Sequence, residues 1–174
     1  MTAEDTKWRG RLKKSLPTRD ALADNRWLRP IAHRLQEPRL WHLQHEAVAR
    51  GVAIGLFWAF AIPVGQLVVA AAHSVWWRAN IPVAAGLTLI TNPFTVGFWL
   101  YLAYQVGSVL LGAPPMAPRA EGDSLMAWMA TYGRPALLGM GIFAVGGAAV
   151  GYLIAKLAWR LRVNLKRRSR CSGR

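Results

Sequence analysis

Residues 79–118 read ANIPVAAGLTLITNPFTVGFWLYLAYQVGSVLLGAPPMAP, a run of 40 residues without a charged side chain. Because roughly 20 apolar residues already cross a bilayer core, a run of this length predicts a membrane segment. A straight helix over residues 81–111 would be about 46 Å long, against about 30 Å of hydrocarbon. We therefore predict that this segment bends, tilts or re-enters the membrane.

The run is interrupted near its middle by Thr91-Asn92-Pro93-Phe94-Thr95. Proline has no amide donor and disfavours helical dihedral angles in the residue before it, which is Asn92. Two half-helices are therefore predicted to meet at this point. Because a bilayer core offers no water, the backbone groups freed by the break need partners inside the protein.

Two further apolar segments, over residues 51–77 and 135–155, lie on either side of this run. The first of them is also interrupted, at Pro63. The predicted fold is all-α. It is an integral membrane protein with three apolar segments, two of them broken at Pro63 and at Asn92-Pro93, and with amphipathic helices at the flanks.

Small residues recur at helical spacing in the first and third segments. Gly51 and Gly55 lie four residues apart in the first segment, and Gly147 and Gly151 lie four apart in the third. Such stripes let helix backbones approach closely in membranes. They are predicted to pack on each other or on a second copy of the chain, and the sequence alone leaves that choice open.

The net charge of +14 is concentrated at the two ends of the chain. Residues 1–50 carry 11 Lys and Arg against 6 acids, and residues 156–174 carry 8 against none. By the positive-inside rule both termini are expected in the cytoplasm, which requires an even number of crossings. Three apolar segments meet that requirement if one broken segment is re-entrant or bends into two partial crossings.

The charge pattern divides the chain into three parts. These are a basic cytoplasmic arm over residues 1–38, a membrane domain over 39–155 and a basic cytoplasmic tail over 156–174. Residues 113–134, where the charges balance, are the predicted periplasmic connection. Leucines share one face of the tail while cations occupy the others, so the tail is predicted to bind a membrane with anionic lipids. The basic residues form no nucleic-acid-binding motif, and nucleic acid is not an expected partner.

The sequence offers little for enzyme chemistry. All eight acids lie outside the apolar segments, so the intramembrane carboxylate of a proton relay or an aspartyl enzyme is absent. His42, His45 and Glu46 are close together, but no further metal donor is evident nearby. We therefore predict no catalytic residue, no metal and no cofactor.

Polar side chains within the apolar segments are the candidate ligand-binding residues, because unpaired polar groups are costly in hydrocarbon. The set comprises Gln66, Arg78, Asn80, Asn92 and Thr95. Asn92 permits two interpretations. Asn followed by Pro is an ordinary helix start, with Asn as the N-cap. A helix start also presents amides and a positive dipole end, which could receive a lipid phosphate or a transported anion.

Several short motifs of the membrane domain recur in a known family. In order they are Ala49–Phe57, Ile62-Pro63 with Gly65-Gln66, Arg78–Pro82, Thr91–Thr95, and Tyr104–Gly107 with Leu110–Gly112. Their order and spacing resemble the bacterial family known as domain of unknown function 2062. That family is similar to a set of small inner-membrane proteins without an established activity, some of them joined to glycosyltransferase-like domains. The resemblance implies a bacterial inner-membrane location and a connection with envelope lipids or glycans.

Together these features predict a multi-pass protein of the bacterial inner membrane with both termini in the cytoplasm. We expect a non-enzymatic envelope component that binds lipid or acts as a scaffold. A second copy of the chain or another envelope protein is the expected protein partner. Paired broken helices are also typical of transporters, so the alternative is a small transporter or flippase gated at the two breaks.

Overall fold

The computed structural model describes residues 22, 26–35, 37–42, 44–62, 64–116 and 124–171. Within these residues the protein is all-helical and contains no strand, which confirms the predicted class. Short helical turns at Arg29–Ile31, Ala32–Leu35 and Pro38–Leu40 precede five longer helices. These are α1 (His45–Ala61), α2 (Gln66–Trp76), α3 (Ile81–Thr88), α4 (Val96–Leu111) and α5 (Leu125–Cys171). Pro63 and most of the arm predicted over residues 1–38 lie outside the described residues.

Helices α1, α2 and α3 run up, down and up beside one another. The first pair forms a hairpin, because α1 ends at Ala61 and α2 begins at Gln66. At the open end of the hairpin, Arg50 donates a hydrogen bond to the carbonyl of Trp77 at 3.1 Å. Helix α3 then follows α1 in parallel. The amide of Asn80 lies 2.8 Å from the carbonyl of Ala47, near the start of α1.

Helix α4 continues in the same direction as α1 and α3, beyond their ends. Helix α5 then runs antiparallel along α4 and α1. With 47 residues, α5 is about 70 Å long. Gly139 packs on the α4 backbone at Ala103. Further along α5, the ring of Phe143 lies 5.7 Å from that of Phe60, and the hydroxyl of Tyr152 lies 2.9 Å from a carboxylate oxygen of Glu46. The first half of α5 therefore covers α4, and the next part covers α1.

The third segment is longer than predicted. It was expected over residues 135–155 after a connection at 113–134, whereas α5 already begins at Leu125 and passes through Pro135 without ending. A proline inside a helix removes one backbone hydrogen bond, but membrane helices tolerate it where neighbouring helices pack closely. The close neighbour is Gly107 of α4, whose missing side chain leaves room for the backbone of Pro135.

One helix of the described chain is long and apolar enough to cross a membrane, over Met129–Asn164 of α5, and an 18-residue window within it has a mean hydropathy of 2.0. Helices α2 and α4 are apolar but shorter. Only 22% of the α5 window is buried inside the protein, so most of its apolar surface faces outward. The length and apolar character of α5 fit a membrane span, and the multi-pass topology stays a prediction.

Candidate functional site

The two helix breaks lie side by side and are tied together by the side chain of Gln66, the first residue of α2. Its amide nitrogen donates to the carbonyl of Thr88 at 2.8 Å and to the carbonyl of Thr91 at 2.9 Å. Thr88 is the last residue of α3, where helical carbonyls lack an intrahelical partner. Gln66 therefore supplies, from the first break, the hydrogen bonds that the second break leaves open.

Thr91, at the second break, donates to a carbonyl beside the first break. Its hydroxyl lies 2.6 Å from the carbonyl of Ala59 in the last turn of α1, and 2.9 Å from the amide oxygen of Gln66. A hydroxyl has one proton to donate, so these two acceptors share it. The side chain is buried, with 4% exposure, and it joins the end of α1 to the end of α3.

Asn92 and Thr95 form a reciprocal pair at the start of the next helix. The side-chain oxygen of Asn92 accepts from the amides of Phe94 at 2.9 Å and Thr95 at 3.0 Å. In return, the hydroxyl of Thr95 accepts from the amide of Asn92 at 3.1 Å and donates to the carbonyl of Ile90 at 2.6 Å. These bonds have the reciprocal pattern of a capping box and close the turn at residues 93–95 that leads into α4, where Pro93 has no amide that needs an acceptor.

We call Gln66, Thr91, Asn92 and Thr95 the break cluster. The amides of Phe94, Thr95 and Val96 all have acceptors within the cluster's own turn, so no free donor of that turn is presented to an anion. Among the described residues, no buried side-chain nitrogen or oxygen lacks a hydrogen-bond partner. The geometry of the cluster therefore favours the capping interpretation of Asn92 over anion binding.

The five candidate residues do not lie in one place. Arg78 and Asn80 follow the far end of α2, whose 11 residues separate them from Gln66 by about 16 Å along the helix axis. Asn80 is fully buried and caps α3, accepting from the amide of Val83 at 3.0 Å and donating to the carbonyl of His42 at 3.0 Å. The five candidate residues are thus divided between the two ends of α2, with Gln66, Asn92 and Thr95 at one end and Arg78 and Asn80 at the other.

Arg78 has an unusual backbone. Its φ of 50° is in the left-handed region, and the other two positive φ values in the described chain belong to Gly65 and Gly112. The amide of Ala79 bonds to the carbonyl of Ser74 at 2.8 Å and that of Arg78 bonds to Val75 at 3.4 Å, which is a Schellman ending of α2. Glycine is the usual residue at this position, and a non-glycine residue there costs of order 1–3 kcal/mol. We call Arg50, Trp77 and Arg78 the basic corner.

A carboxylate stands beside the corner. Glu46 accepts a hydrogen bond from Tyr152 at 2.9 Å and lies 3.5 Å from the ammonium of Lys156 and 3.8 Å from Arg50. The Tyr152 hydrogen bond, together with the positive charges of Lys156 and Arg50, lowers the pKa of Glu46 below its ordinary value of 4.5, although partial burial opposes the shift. This cluster fastens the start of α1 to α5.

The glycine stripes pack on helices of the same chain. A side-chain carbon added at Gly51 would lie 2.7 Å from the carbonyl of Asn80, and one at Gly55 would lie 2.5 Å from that of Ala84, so both face α3. Gly147 and Gly151 face Leu56 on another side of α1. The two stripes therefore contact different neighbours and do not meet.

Two other glycines make closer contacts, and they were not predicted as packing residues. Gly107 of α4 lies against the carbonyl of Pro135, and Gly139 of α5 lies against the carbonyl of Ala103. Ala103 and Gly107 are four residues apart on α4, and Pro135 and Gly139 are four residues apart on α5. The spacing of Ala103 with Gly107 was the available signal, but it does not identify the partner helix.

Among the described residues, no group of three or more His, Cys, Asp or Glu side chains could hold a metal ion. A family model described as an uncharacterised protein conserved in bacteria, DUF2062, matches residues 28–168. No curated protein and no solved structure matches the chain.

Proposed function

Because the chain belongs to the DUF2062 family of uncharacterised bacterial proteins, which assigns no activity, we propose a function from the geometry. The protein is an integral, multi-pass component of the bacterial inner membrane. It is not an enzyme, and it binds envelope lipid and organises neighbouring helices. The observation that carries this proposal is that side chains of the protein itself donate to the carbonyls of Ala59, Thr88 and Thr91 at the two helix breaks.

The closure of the breaks fits a bilayer because hydrocarbon cannot hydrogen-bond to backbone carbonyls. In water, the carbonyls of Ala59, Thr88 and Thr91 could be hydrated without buried polar side chains. Here Gln66 and Thr91 serve all three. Rings of Phe60 and Trp99 lie beside the breaks and contact Phe143, close to the middle of the apolar window of α5. The breaks therefore correspond to the middle of the proposed bilayer.

Outward-facing apolar side chains support the same environment. Val109 of α4 and Leu137 of α5 are 83% and 74% exposed, and they belong to a larger exposed apolar set along both helices. A soluble monomer rarely leaves so continuous an apolar surface in water. Lipid tails would cover it.

The order of helices supports two crossings. Helix α1, about 25 Å long, and α2 enter from the cytoplasmic side and return as a re-entrant hairpin. Helices α3 and α4 cross once with the break at mid-depth, and α5 crosses back. An even number of crossings leaves both basic termini in the cytoplasm, as the charge distribution requires.

This topology can be tested with single cysteines in a Cys171→Ser background, labelled in intact cells by a reagent that does not cross the membrane. In that background Ala113→Cys should be labelled from outside and Ala3→Cys should not. In the unsubstituted protein, the native Cys171 should not be labelled either. Val64→Cys at the hairpin tip distinguishes a re-entrant hairpin from one that crosses the membrane fully. A tip that crossed fully would be labelled, and a re-entrant tip would not. Release of the protein from membranes by alkaline carbonate would contradict integral insertion.

The second candidate is a small transporter or flippase. It is favoured by one observation, namely that the two breaks meet and share Gln66 and Thr91, as paired broken helices do in transporters. A gate at this point must break those hydrogen bonds. Translocation of a fluorescent lipid by wild-type proteoliposomes, abolished when a Gln66→Cys, Thr91→Cys pair is oxidised, would favour this function.

A further inference from the structure

Three open grooves meet around Trp77, where α2 turns into α3. One is lined by Arg50, Trp76, Trp77 and Arg78 and has a volume of about 390 Å³. A second, apolar groove of about 410 Å³ shares Trp76 and Trp77 with the first and continues over Trp58, Val69, Ala72 and His73. The third, of about 330 Å³, shares Arg50 and Trp77 and continues over Ala53, Ala148, Ala149 and Tyr152. Each is within the roughly 300–1,000 Å³ typical of ligand pockets.

The first groove, which lies between the two apolar ones and is lined by Arg50 and Arg78, is cationic. Arg50 donates to the carbonyl of Trp77 and lies 3.8 Å from Glu46, but an arginine has five N–H donors, so these contacts leave donors for an anion. Within the described part of the chain, Arg78 makes no ion pair. Glu46 is shared between Arg50 and Lys156, so the sum of these four charges is positive.

The backbone of Arg78 gives an independent indication that its charge matters. The left-handed residue of a Schellman ending favours glycine, and the other two left-handed positions among the described residues are Gly65 and Gly112. A sequence that departs from a local backbone rule does so most often at a functional site. An arginine that is exposed, strained and makes no ion pair with another described residue fits that description.

We propose that the basic corner binds one diacyl anionic phospholipid, with its phosphate between Arg50 and Arg78 and one acyl chain in each apolar groove. This rests on the proposed function, which puts the corner at the cytoplasmic surface of the bilayer. Trp76 and Trp77, exposed at 82% and 60%, stand at headgroup depth, where tryptophan is enriched. The arrangement of one cationic groove between two apolar ones matches one phosphate joined to two chains.

Charge complementarity selects the anionic headgroup. A phosphodiester without an ammonium group would take charge-assisted hydrogen bonds from both guanidinium groups. A zwitterionic choline lipid would bring a cation against the same arginines. A soluble phosphate would occupy the cationic groove and leave the two apolar grooves unused.

The test uses the full chain in mild detergent and native mass spectrometry. Phosphatidylglycerol, phosphatidylcholine with the same acyl chains, and glycerol phosphate are titrated in parallel. Wild type should bind one phosphatidylglycerol about tenfold more tightly than phosphatidylcholine, as expected for one or two charge-assisted hydrogen bonds. Glycerol phosphate should compete weakly.

Charge variants then locate the site. Arg78→Gln and Arg50→Gln should each remove most of the roughly tenfold preference, whereas Arg78→Lys should retain part of it. Arg134→Gln is the matched control, because it removes one exposed positive charge from α5 about 27 Å along the helix from Tyr152 and outside the basic tail. Arg78→Gly should lose the preference while its unfolding midpoint stays equal or rises, which separates lost binding from lost folding.

The acyl-chain part of the proposal has its own variant. Ala149→Trp should fill the third groove and weaken binding of the diacyl lipid, while single-chain lysophosphatidylglycerol remains bound through the other groove. Ala158→Trp, also exposed on α5, is the control for added bulk. Equal loss of both lipids in Ala149→Trp, or no loss, would contradict the two-groove placement.

Other outcomes overturn the whole site. The site is wrong if phosphatidylcholine binds as well as phosphatidylglycerol, or if the preference survives in both glutamine variants. Competition by glycerol phosphate at the concentration where phosphatidylglycerol binds would identify a soluble-anion site instead. If the protein stays in carbonate-washed membranes but shows no lipid preference, this inference fails and the membrane proposal stands. If the protein is washed out of membranes, the membrane proposal fails.

Discussion

The break cluster and the basic corner lie at opposite ends of α2 and treat polar groups in opposite ways. In the break cluster, Gln66, Thr91 and Asn92 bond to backbone groups within the protein. In the basic corner, Arg78 occupies a strained left-handed conformation and makes no ion pair among the described residues. Saturated polar groups stabilise architecture, whereas cations held without partners are available to a ligand. The comparison predicts that substitutions in the first region change stability and those in the second change binding.

The largest effect should come from Gln66→Ala. It removes the Gln66 donor from the carbonyls of Thr88 and Thr91, at about 1–3 kcal/mol for each group, so we expect a loss of about 2–6 kcal/mol in unfolding free energy. Gln66→Glu should be at least as harmful, because it places a carboxylate against two carbonyls. Gln105→Ala, an exposed site on α4, should change stability by less than about 0.5 kcal/mol.

Thermal unfolding in mild detergent, followed by circular dichroism, measures this difference. The lipid preference of the folded fraction of Gln66→Ala should equal that of wild type. Equal midpoints for Gln66→Ala and Gln105→Ala would show that the cluster does not stabilise the fold, and the architectural side of the comparison would be lost.

The second effect concerns the cap. Asn92→Ala removes the acceptor of two amides and should cost about 0.5–2 kcal/mol, whereas Asn92→Asp retains the acceptor and suits the positive end of the helix. Midpoint shifts of the two variants, with the bound lipid counted by native mass spectrometry, distinguish cap from ligand site. Lower lipid occupancy in Asn92→Asp than in Asn92→Ala would return the anion site to the break.

The sequence was sufficient for the all-α class and for the interruptions near Pro63 and Pro93, because proline and the absence of charge act locally. It was not sufficient for the division of the candidate site. Gln66 and Arg78 are 12 positions apart, and only the length of α2 shows that they lie at opposite ends of that helix. The sequence does not show whether polar residues of an apolar segment lie in one site, because their separation depends on where each helix begins and ends.

Non-local packing explains the other errors. The start of α5 at Leu125 was missed because Pro135 is normally read as a boundary, and the compensation comes from Gly107 on another helix. The strain at Arg78 was also invisible, since arginine carries no turn signal. Such a Schellman ending is recognised from sequence when the left-handed residue is glycine.

A pair of backbone substitutions sharpens the contrast between the two ends of α2. Gly65, before α2, has φ of 75° and nothing within 4 Å of an added side-chain carbon, so Gly65→Ala tests backbone strain alone and should cost about 1–2 kcal/mol. Arg78→Gly relieves the same strain after α2 and should raise stability by up to about 1 kcal/mol, reduced by the entropy that glycine gains on unfolding. Opposite midpoint shifts are expected, and a fall in both would mean that the Arg78 side chain stabilises the fold.

The smallest effect concerns Glu46, the corner's own carboxylate, whose side chain is 36% exposed. Its pKa is lower in the folded protein than the ordinary 4.5, because Tyr152 donates to it and Lys156 and Arg50 lie nearby. The unfolded chain therefore takes up the proton first as pH falls, so the stabilisation by Glu46 is present above about pH 4.5 and is lost as pH falls through the lower folded value. Unfolding midpoints of wild type should exceed those of Glu46→Gln at pH 7 and converge with them at low pH. Glu46→Gln removes this negative charge at every pH and frees Arg50, so phosphatidylglycerol binding at pH 7 should be slightly tighter in Glu46→Gln than in wild type, while Gln66→Ala shows no such change. Weaker lipid binding by Glu46→Gln would mean that this carboxylate holds Arg50 in place for the headgroup instead of competing with it.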